Sequence, residues 1–214
     1  MNWNAARILL ITAGFCYGQT GAPPELLFRM SLENTTRHAL AQEIFTNPDL
    51  EVQAYGDGKN MLVAVGKADT DPHLFDGLCD KPCGFTLRDK NRDFDLTGRA
   101  KIKWTTIVSG FHRARPLIKL TDGTLLIGDQ ADGSMTDWQQ SEVSLADVRW
   151  LKLDPARGVT VSRTWEKADL SRVSEVGFFD VIPGSGTPPG GWVAIAAFEL
   201  WGKPAARVST PEKH

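Results

Sequence analysis

Several features that would assign this chain to a common class of protein are scarce or missing. Its net charge is −2 and its pI is about 6.1, so there is no basic excess. A general affinity for nucleic acid or for an anionic membrane is therefore not expected. No apolar run approaches the roughly 20 residues that a membrane-spanning helix needs. Helical periodicity is also scarce, and only three cysteines occur in 214 residues.

The N-terminal residues have the pattern of an export signal. Arg7 precedes an apolar core, Ile8–Phe15, and small residues follow at Cys16 and Gly18. That order fits a signal peptidase site, so residues 1–18 are predicted to be a signal peptide and the chain to be secreted or periplasmic. Two alternatives are a lipoprotein cysteine at Cys16, which the bulky residue before it disfavours, and a plain N-terminal helix.

Export changes the interpretation of the cysteines. The two that remain, Cys79 and Cys83, flank a proline turn in "LCDKPCG". An even pair in an oxidising compartment predicts a small-loop disulfide. A zinc site is the alternative, but it needs two more ligands and only His73 is near in sequence.

The rest of the sequence predicts an all-β fold. Short runs of β-branched and aromatic residues alternate with Gly, Pro, Asp and Asn, which is typical of a sandwich or barrel. Residues 100–108 alternate between one apolar and one largely polar face, and residues 31–45 are the best candidate for a short helix. We expect a single β-sandwich domain over residues 25–203, with a flexible tail at 204–214.

A hairpin is predicted around Asp122-Gly123, because these residues tolerate a left-handed turn between two apolar runs. With the turn centred between them, Arg115 lies opposite Gln130 and Pro116 opposite Asp129, within a slip of one or two residues. The basic segment "GFHRARPLIKL" and the acidic segment "GDQADGSMTD" then meet at one end of the hairpin.

The last third resembles a known family. The segment "DLSRVSEVGF" (Asp169–Phe178) leads into a strand, and "WVAIAAFELWG" (Trp192–Gly202) follows as a final strand that is apolar on both faces. This pattern resembles the end of a galactose-binding-like jelly roll, the β-sandwich of many carbohydrate-binding modules and discoidin-type domains. The resemblance covers residues 97–203. It implies a jelly-roll β-sandwich and a carbohydrate or polysaccharide as partner.

Sugar sites on such sandwiches combine an aromatic platform with groups that hydrogen-bond hydroxyls. The candidate ligand-binding residues come from the hairpin and the loop after it: His112, Arg113, Arg115, Asp129, Asp137 and Trp138. The simplest alternative is that the arginines form strand-end ion pairs with Asp129 and Asp132, which contribute about 0–1 kcal/mol each.

The tryptophans divide by context. Trp104 and Trp150 are predicted to lie in the core. Trp138 and Trp165 lie in polar segments and are the better candidates for exposed platforms or half-buried loop anchors. Trp192 and Trp201 bracket the last strand and are expected to pack beneath loops.

Catalysis at the same residues is the main rival hypothesis. His112 would remove a proton from an arginine-bound uronate in a lyase, or Asp129 and Asp137 would act as paired carboxylates in a hydrolase. The third hypothesis is a protein with only structural or interaction roles. A serine hydrolase is excluded because "GSG" at 184–186 is not a nucleophile elbow.

A structural calcium ion is an expectation of the family resemblance. The oxygen-rich segment at 129–137 does not match the spacing of an EF-hand loop, because the bidentate glutamate is missing. Segments 56–60 and 89–95 are equally plausible oxygen donors, or plain turns. The sequence therefore predicts an exported carbohydrate-binding β-sandwich, with a small lyase or hydrolase as the alternative.

Overall fold

The computed structural model describes residues 22–33, 38–64, 72–154, 156–182 and 190–207. Nearly all regular structure in these ranges is β-strand. Two single 3₁₀ turns, Gln42–Ile44 and Gly58–Asn60, are the helical elements among the described residues. None of the described helical segments is long and apolar enough to cross a membrane. The predicted signal peptide and most of the predicted tail lie outside the described residues.

The strands are numbered in chain order: β1 (Glu25–Arg29), β2 (His38–Ala39), β3 (Leu50–Gly56), β4 (Leu62–Ala64), β5 (His73–Phe75), β6 (Cys83–Asp89), β7 (Arg92–Asp95), β8 (Lys101–Gly110), β9 (Arg115–Leu120), β10 (Leu125–Gly128), β11 (Gln139–Ser144), β12 (Trp150–Asp154), β13 (Val159–Thr160), β14 (Val173–Asp180) and β15 (Gly191–Ala206).

The strands form two antiparallel sheets. The first sheet has β11, β8 and β15 side by side, with β1 and β5 on the far side of β15 and β4 and β2 beyond β5. The second sheet runs β3, β6, β14, β9, β10, β12 and β13. The short strand β7 joins them, because it pairs with both β14 and the end of β15. Strands far apart in sequence are neighbours, such as β8 and β15, as in a jelly roll.

One hydrophobic core lies between the sheets. Trp104 and Phe198 of the first sheet pack with ring centroids 6.1 Å apart, and Phe85 and Phe178 do the same in the second sheet. All four side chains are buried in a single cluster that draws on both sheets. Burial of large apolar side chains is the main source of folding free energy. The predicted all-β sandwich is therefore confirmed.

Strand β8 shows the predicted alternation. Ile102, Trp104 and Val108 point into the core, whereas Lys101 and the other odd-numbered positions are partly exposed. The prediction that Trp104 lies in the core is confirmed. This alternation also shows which side chains lie on the outer face of the first sheet. A residue that pairs with an outward-pointing residue of β8 points outward as well.

The predicted hairpin is present, and Gly123 has a φ of 90°, which only glycine adopts readily. Leu117 pairs with Ile127, so the register differs by one residue from the predicted one. Continued along the strands, it brings Arg115 opposite Asp129.

The predicted helix at residues 31–45 is wrong. Leu32 forms a β-bridge with Phe45, and Gln42–Ile44 are the helical residues in the described part of this segment. Ile44 and Phe45 are buried in the core, so tertiary packing rather than helical propensity sets the backbone here.

Two smaller predictions can also be checked. Cys79 and Cys83 form a disulfide and both are fully buried, so the predicted pair is confirmed. Strand β15 pairs along both edges, as predicted for a central strand, and it continues to Ala206, three residues past the expected domain boundary.

Candidate functional site

The structure separates the six predicted ligand-binding residues into three places. His112 follows β8 and is completely buried, with 0% exposure. Its Nδ1 is hydrogen-bonded to Oδ2 of Asp180, at the end of β14. Asp76, just after β5, completes a buried group of three ionisable side chains. His112 is therefore an interior residue that a glycan on the surface does not reach.

Burial dominates the electrostatics of this group. It raises the pKa of Asp76 well above its usual range, the hydrogen bond from Val193 N opposes the rise, and the nearby Asp180 carboxyl adds to it. Burial also raises the pKa of Asp180, against the hydrogen bonds from Ile182 N and from His112. Both carboxyls are thus costly to ionise without a positive partner.

The arginines of the basic segment bind backbone carbonyls. Arg113 donates from Nη1 to the carbonyl of His112 at 3.0 Å. Arg115 donates to the carbonyls of Gly128 and Asp129 at 3.1 and 3.0 Å, and its guanidinium carbon lies 5.9 Å from the ring centroid of Trp165. Burial and the nearby Arg113 lower the pKa of Arg115.

The predicted strand-end ion pairs take a different form. The carboxylate of Asp129 accepts from Arg149 Nε at 2.7 Å, and Asp132 accepts from Thr106 Oγ1 at 2.7 Å. The basic and acidic segments do meet at one end of the hairpin, because Ala114 and Asp132 form a β-bridge. The charged side chains at this end of the hairpin are thus bound by other groups of the same chain.

Trp138 and Asp137 lie elsewhere, beside the edge of the first sheet. Met135 N donates to the carbonyl of Val108, and Gln139 pairs with Thr106. Three residues, 136–138, therefore lie opposite the single residue Ile107, and they form a bulge at the edge of the first sheet. Bulges commonly re-aim a side chain next to a binding site. Here the bulge leaves Asp137 exposed and Trp138 partly exposed.

Trp138 meets aromatic residues from a distant part of the chain. Its ring lies edge-on to that of His73, with centroids 5.3 Å apart. Strands β8 and β15 separate β11 from β5, so the two side chains meet across the outer face of these two strands. On the same face the rings of Phe75 and Trp192 pack 5.4 Å apart. We call these four residues, His73, Phe75, Trp138 and Trp192, the aromatic face.

The strand residues between these rings are mostly apolar. Ile107 pairs with Ala194, which pairs with Phe75, and Thr105 of the same strand pairs with Ala197. Ala194 is buried, and all four rings of the aromatic face are partly exposed. Partly exposed rings beside a few hydroxyls and amides can stack on a sugar and bind its hydroxyls.

Farther along the same face the surface becomes charged. Lys101 and Lys103 lie 5.9 and 5.6 Å from the ring of Trp201, and both pair with Glu142. Lys103 and Lys101 lie four and six positions along β8 from Ile107, or about 14 and 20 Å away. The charges there are already matched, so the aromatic end is the more available surface.

The outer face of the second sheet is filled. Leu117, Ile127 and Phe179 are almost fully buried in a second hydrophobic cluster, against which Trp165 packs. Beside them Glu175 accepts hydrogen bonds from Tyr55, Thr86 and Lys119 at 2.7, 2.6 and 2.8 Å. Trp165, predicted as an alternative platform, is thus a half-buried anchor.

Sequence reasoning identified Trp138 but missed its partners. His73 looked isolated, and Trp192 was expected to pack beneath loops. The missing signal is the pairing of β5 with β15. In this pairing Leu74 lies opposite Ile195 and Phe75 opposite Ala194, although the two segments are about 120 residues apart in the sequence. No local pattern in the sequence reveals that pairing.

The oxygen-rich segments proposed for calcium have protein partners. Asp57 accepts from Asn60 and from Asp80 N, and Asp89 pairs with Arg92 at 2.8 Å. Among the described residues, the group of three or more candidate ligands that converges is Asp76, His112 and Asp180.

No protein family model matches this chain, and no curated protein matches its sequence. Among solved structures, it is similar to a family 11 carbohydrate-binding module of a cellulosomal cellulase of Clostridium thermocellum. That match has 12% identity, a TM-score of 0.41, and covers 90% of this chain and 100% of the module.

Two further similar structures are an exo-beta-agarase and the lumenal domain of VIP36 bound to calcium and a mannose-containing glycan. The first match has 11% identity and a TM-score of 0.41, and covers 84% of this chain and 25% of the agarase. The second has 9% identity and a TM-score of 0.35, and covers 82% of this chain and 91% of the domain. The strand order described above, and not these likenesses, defines the fold.

Proposed function

We propose that this protein binds a neutral polysaccharide on the aromatic face. The observation that carries the proposal is the set of partly exposed rings of Phe75, Trp138 and Trp192 on the outer face of the first sheet. The C–H-rich face of a pyranose stacks on such rings, while neighbouring hydroxyl and amide groups bind its hydroxyls. Thr105 and Gln140 pair across β8 and β11 and supply these groups.

The charge around the aromatic face supports a neutral ligand. Asp137 is exposed beside Trp138, and the two lysines of β8 are paired with Glu142. An unpaired cation that would bind a uronate carboxylate is not found among the described outward residues of β8. A polyuronate should therefore bind more weakly than a neutral chain of the same length.

The enzyme alternative is not favoured. Its general base, His112, is buried, and Asp129 is engaged by Arg149. A general base must come within hydrogen-bond reach of the proton that it removes. Binding without turnover is the function that this arrangement supports best.

Export belongs to the same proposal. The N-terminal pattern of residues 1–18 is that of a signal peptide, and the Cys79–Cys83 disulfide is the kind of bond that persists in oxidising compartments. A secreted or periplasmic protein would meet polysaccharide directly.

The test is calorimetric titration of neutral oligosaccharides and oligouronates into the wild type and into Trp138→Ala, Trp192→Ala and Trp165→Ala. Loss of a stacking ring should weaken binding by at least about tenfold for the first two variants. Trp165→Ala is the matched control, since this half-buried tryptophan lies on the second sheet. No binding to any neutral chain, or an equal loss in the control, would contradict the proposal.

A further inference from the structure

Asp76, His112 and Asp180 form a buried cluster of metal-ligand type behind the aromatic face. Their side chains are 0–1% exposed. Each offers a ligand atom, and these atoms lie within 4.8 Å of one another. The three residues follow β5, β8 and the end of β14 respectively, so the cluster joins the two sheets at one end of the sandwich.

Two atoms of this cluster have no hydrogen-bond partner. They are Oδ2 of Asp76 and Nε2 of His112, and both are buried. The other polar atoms are satisfied: Asp76 Oδ1 accepts from Val193 N at 2.7 Å, Asp180 Oδ1 accepts from Ile182 N at 3.0 Å, and Asp180 Oδ2 accepts from His112. Buried polar atoms without partners are rare and costly, and a bound ion that satisfies them is one of the standard reasons for them.

The arrangement has the chemistry of a transition-metal site. A ligating histidine characteristically donates its other ring N–H to a carboxylate, which fixes the tautomer and the ring orientation. The contact between His112 Nδ1 and Asp180 Oδ2 has this form, and Nε2 has no hydrogen-bond partner. A divalent ion would also balance the two carboxylates, which are otherwise costly to bury in charged form.

We propose that the cluster binds a divalent transition-metal ion of the Zn²⁺ class, with His112 Nε2 and Asp76 Oδ2 as ligands and Asp180 as the residue that orients His112. Imidazole and carboxylate suit zinc and its neighbours, whereas Ca²⁺ selects oxygen ligands alone. The ion differs in kind and in place from the calcium expected in the oxygen-rich loops. This inference is independent of the ligand proposed for the surface.

The site would stabilise the walls of the aromatic face. Asp76 directly follows Phe75, and its carboxylate holds Val193, which directly follows Trp192. Because these rings pack on each other, an ion that fixes Asp76 also fixes them. Metal removal should therefore loosen this end of the sandwich first.

The test begins with full-length protein purified without chelator and analysed for bound metal. The protein is then unfolded in chelator and refolded with Zn²⁺, Co²⁺, Ca²⁺ or no ion. Zn²⁺ should raise the Tm by at least about 5 °C, Co²⁺ should give the visible absorption of a nitrogen- and oxygen-ligated ion, and Ca²⁺ should change neither readout.

Asp76→Asn and His112→Gln should lose the Co²⁺ absorption and the Zn²⁺-dependent shift in Tm. Glu175→Gln is the matched control, since it changes a buried carboxylate in the second sheet and should retain both. Asp76→Asn preserves the shape of the side chain and keeps the test decisive if His112→Gln does not fold. A metal-free wild type whose Tm is unchanged by Zn²⁺ and by chelator would overturn the proposal.

Discussion

Tyr55 crosses the outer face of the second sheet. It belongs to β3, yet its hydroxyl donates at 2.7 Å to Glu175 on β14, so the side chain spans β6 between them. Thr86 of β6 donates to the same oxygen, and Lys119 Nζ lies 5.9 Å from the tyrosine ring. A buried carboxylate with three donors is the stable way to keep such a charge inside a fold.

The ionisation of Tyr55 gives a prediction at the scale of one residue. Burial raises its pKa, and the hydrogen bond and negative charge of Glu175 raise it further. The pKa of Tyr55 is higher in the folded than in the unfolded protein. The stability that its neutral hydroxyl contributes is therefore intact below pH 10 and is lost as the pH rises above 10. The free energy of unfolding should fall above pH 10 by up to about 1.4 kcal/mol per pH unit. Tyr55→Phe should remove that dependence.

Phenolate absorbance is the direct measurement. The chain has two tyrosines, Tyr17 and Tyr55. In a Tyr17→Phe background the absorbance change reports Tyr55 alone, and it should coincide with alkaline unfolding. A titration near the ordinary tyrosine pKa in protein that is still folded would show that the Tyr55–Glu175 contact is wrong.

At the scale of strands, two glycines determine how closely β6 and β14 approach each other. Gly84 pairs with Phe179, and Gly177 pairs with Thr86. A Cβ atom on Gly177 would clash with the backbone of Phe85 and Thr86, and one on Gly84 would clash with the backbone of Phe178. Glycine within a strand often marks such a close backbone approach.

Gly177→Ala should therefore destabilise the protein by about 1–3 kcal/mol, because backbone atoms of a packed sheet must move. Gly133→Ala is the control. Its added Cβ would meet the guanidinium end of Arg113, a flexible side chain that can move aside, so the change should be within about 0.5 kcal/mol. Urea unfolding of both variants gives the comparison, and equal losses would contradict this account of the strand spacing.

The same scale shows what sequence can predict about this fold. The alternation in β8 and the Asp122-Gly123 turn are local signals, and both predictions were confirmed to within one residue of register. The helix at residues 31–45 was predicted from weak periodicity and is replaced by a β-bridge and one 3₁₀ turn. Its apolar residues are buried by contacts with distant strands, which a local pattern does not encode.

Across the whole molecule, the two outer surfaces of the sandwich have different roles. The second sheet carries its own hydrophobic cluster, on which the equally partly exposed Trp165 packs, whereas the first sheet presents four partly exposed rings on its outer face. Residue type alone could not separate these surfaces. Trp138 and Trp165 occupy similar polar segments, and only the strand pairing gives one a place on an open face.

The candidate site shows the same limit. The basic segment at 112–115 was the most conspicuous cluster of charge in the sequence, but its arginines bind carbonyls and His112 is buried. A histidine beside an apolar strand can face either solvent or the interior, because a shift of one residue in the chain reverses its direction. The inward direction of His112 is set by its buried partners Asp76 and Asp180, which lie 36 and 68 positions away in the sequence.

The central claim is that the aromatic face of the first sheet binds glycan. The most direct measurement follows the indole N–H signals of the tryptophans by NMR during titration with a neutral oligosaccharide. The signals of Trp138 and Trp192 should shift together with a common affinity, while those of the core residues Trp104 and Trp150 stay in place. Shifts confined to Trp165, or no shift with any neutral chain, would contradict the account.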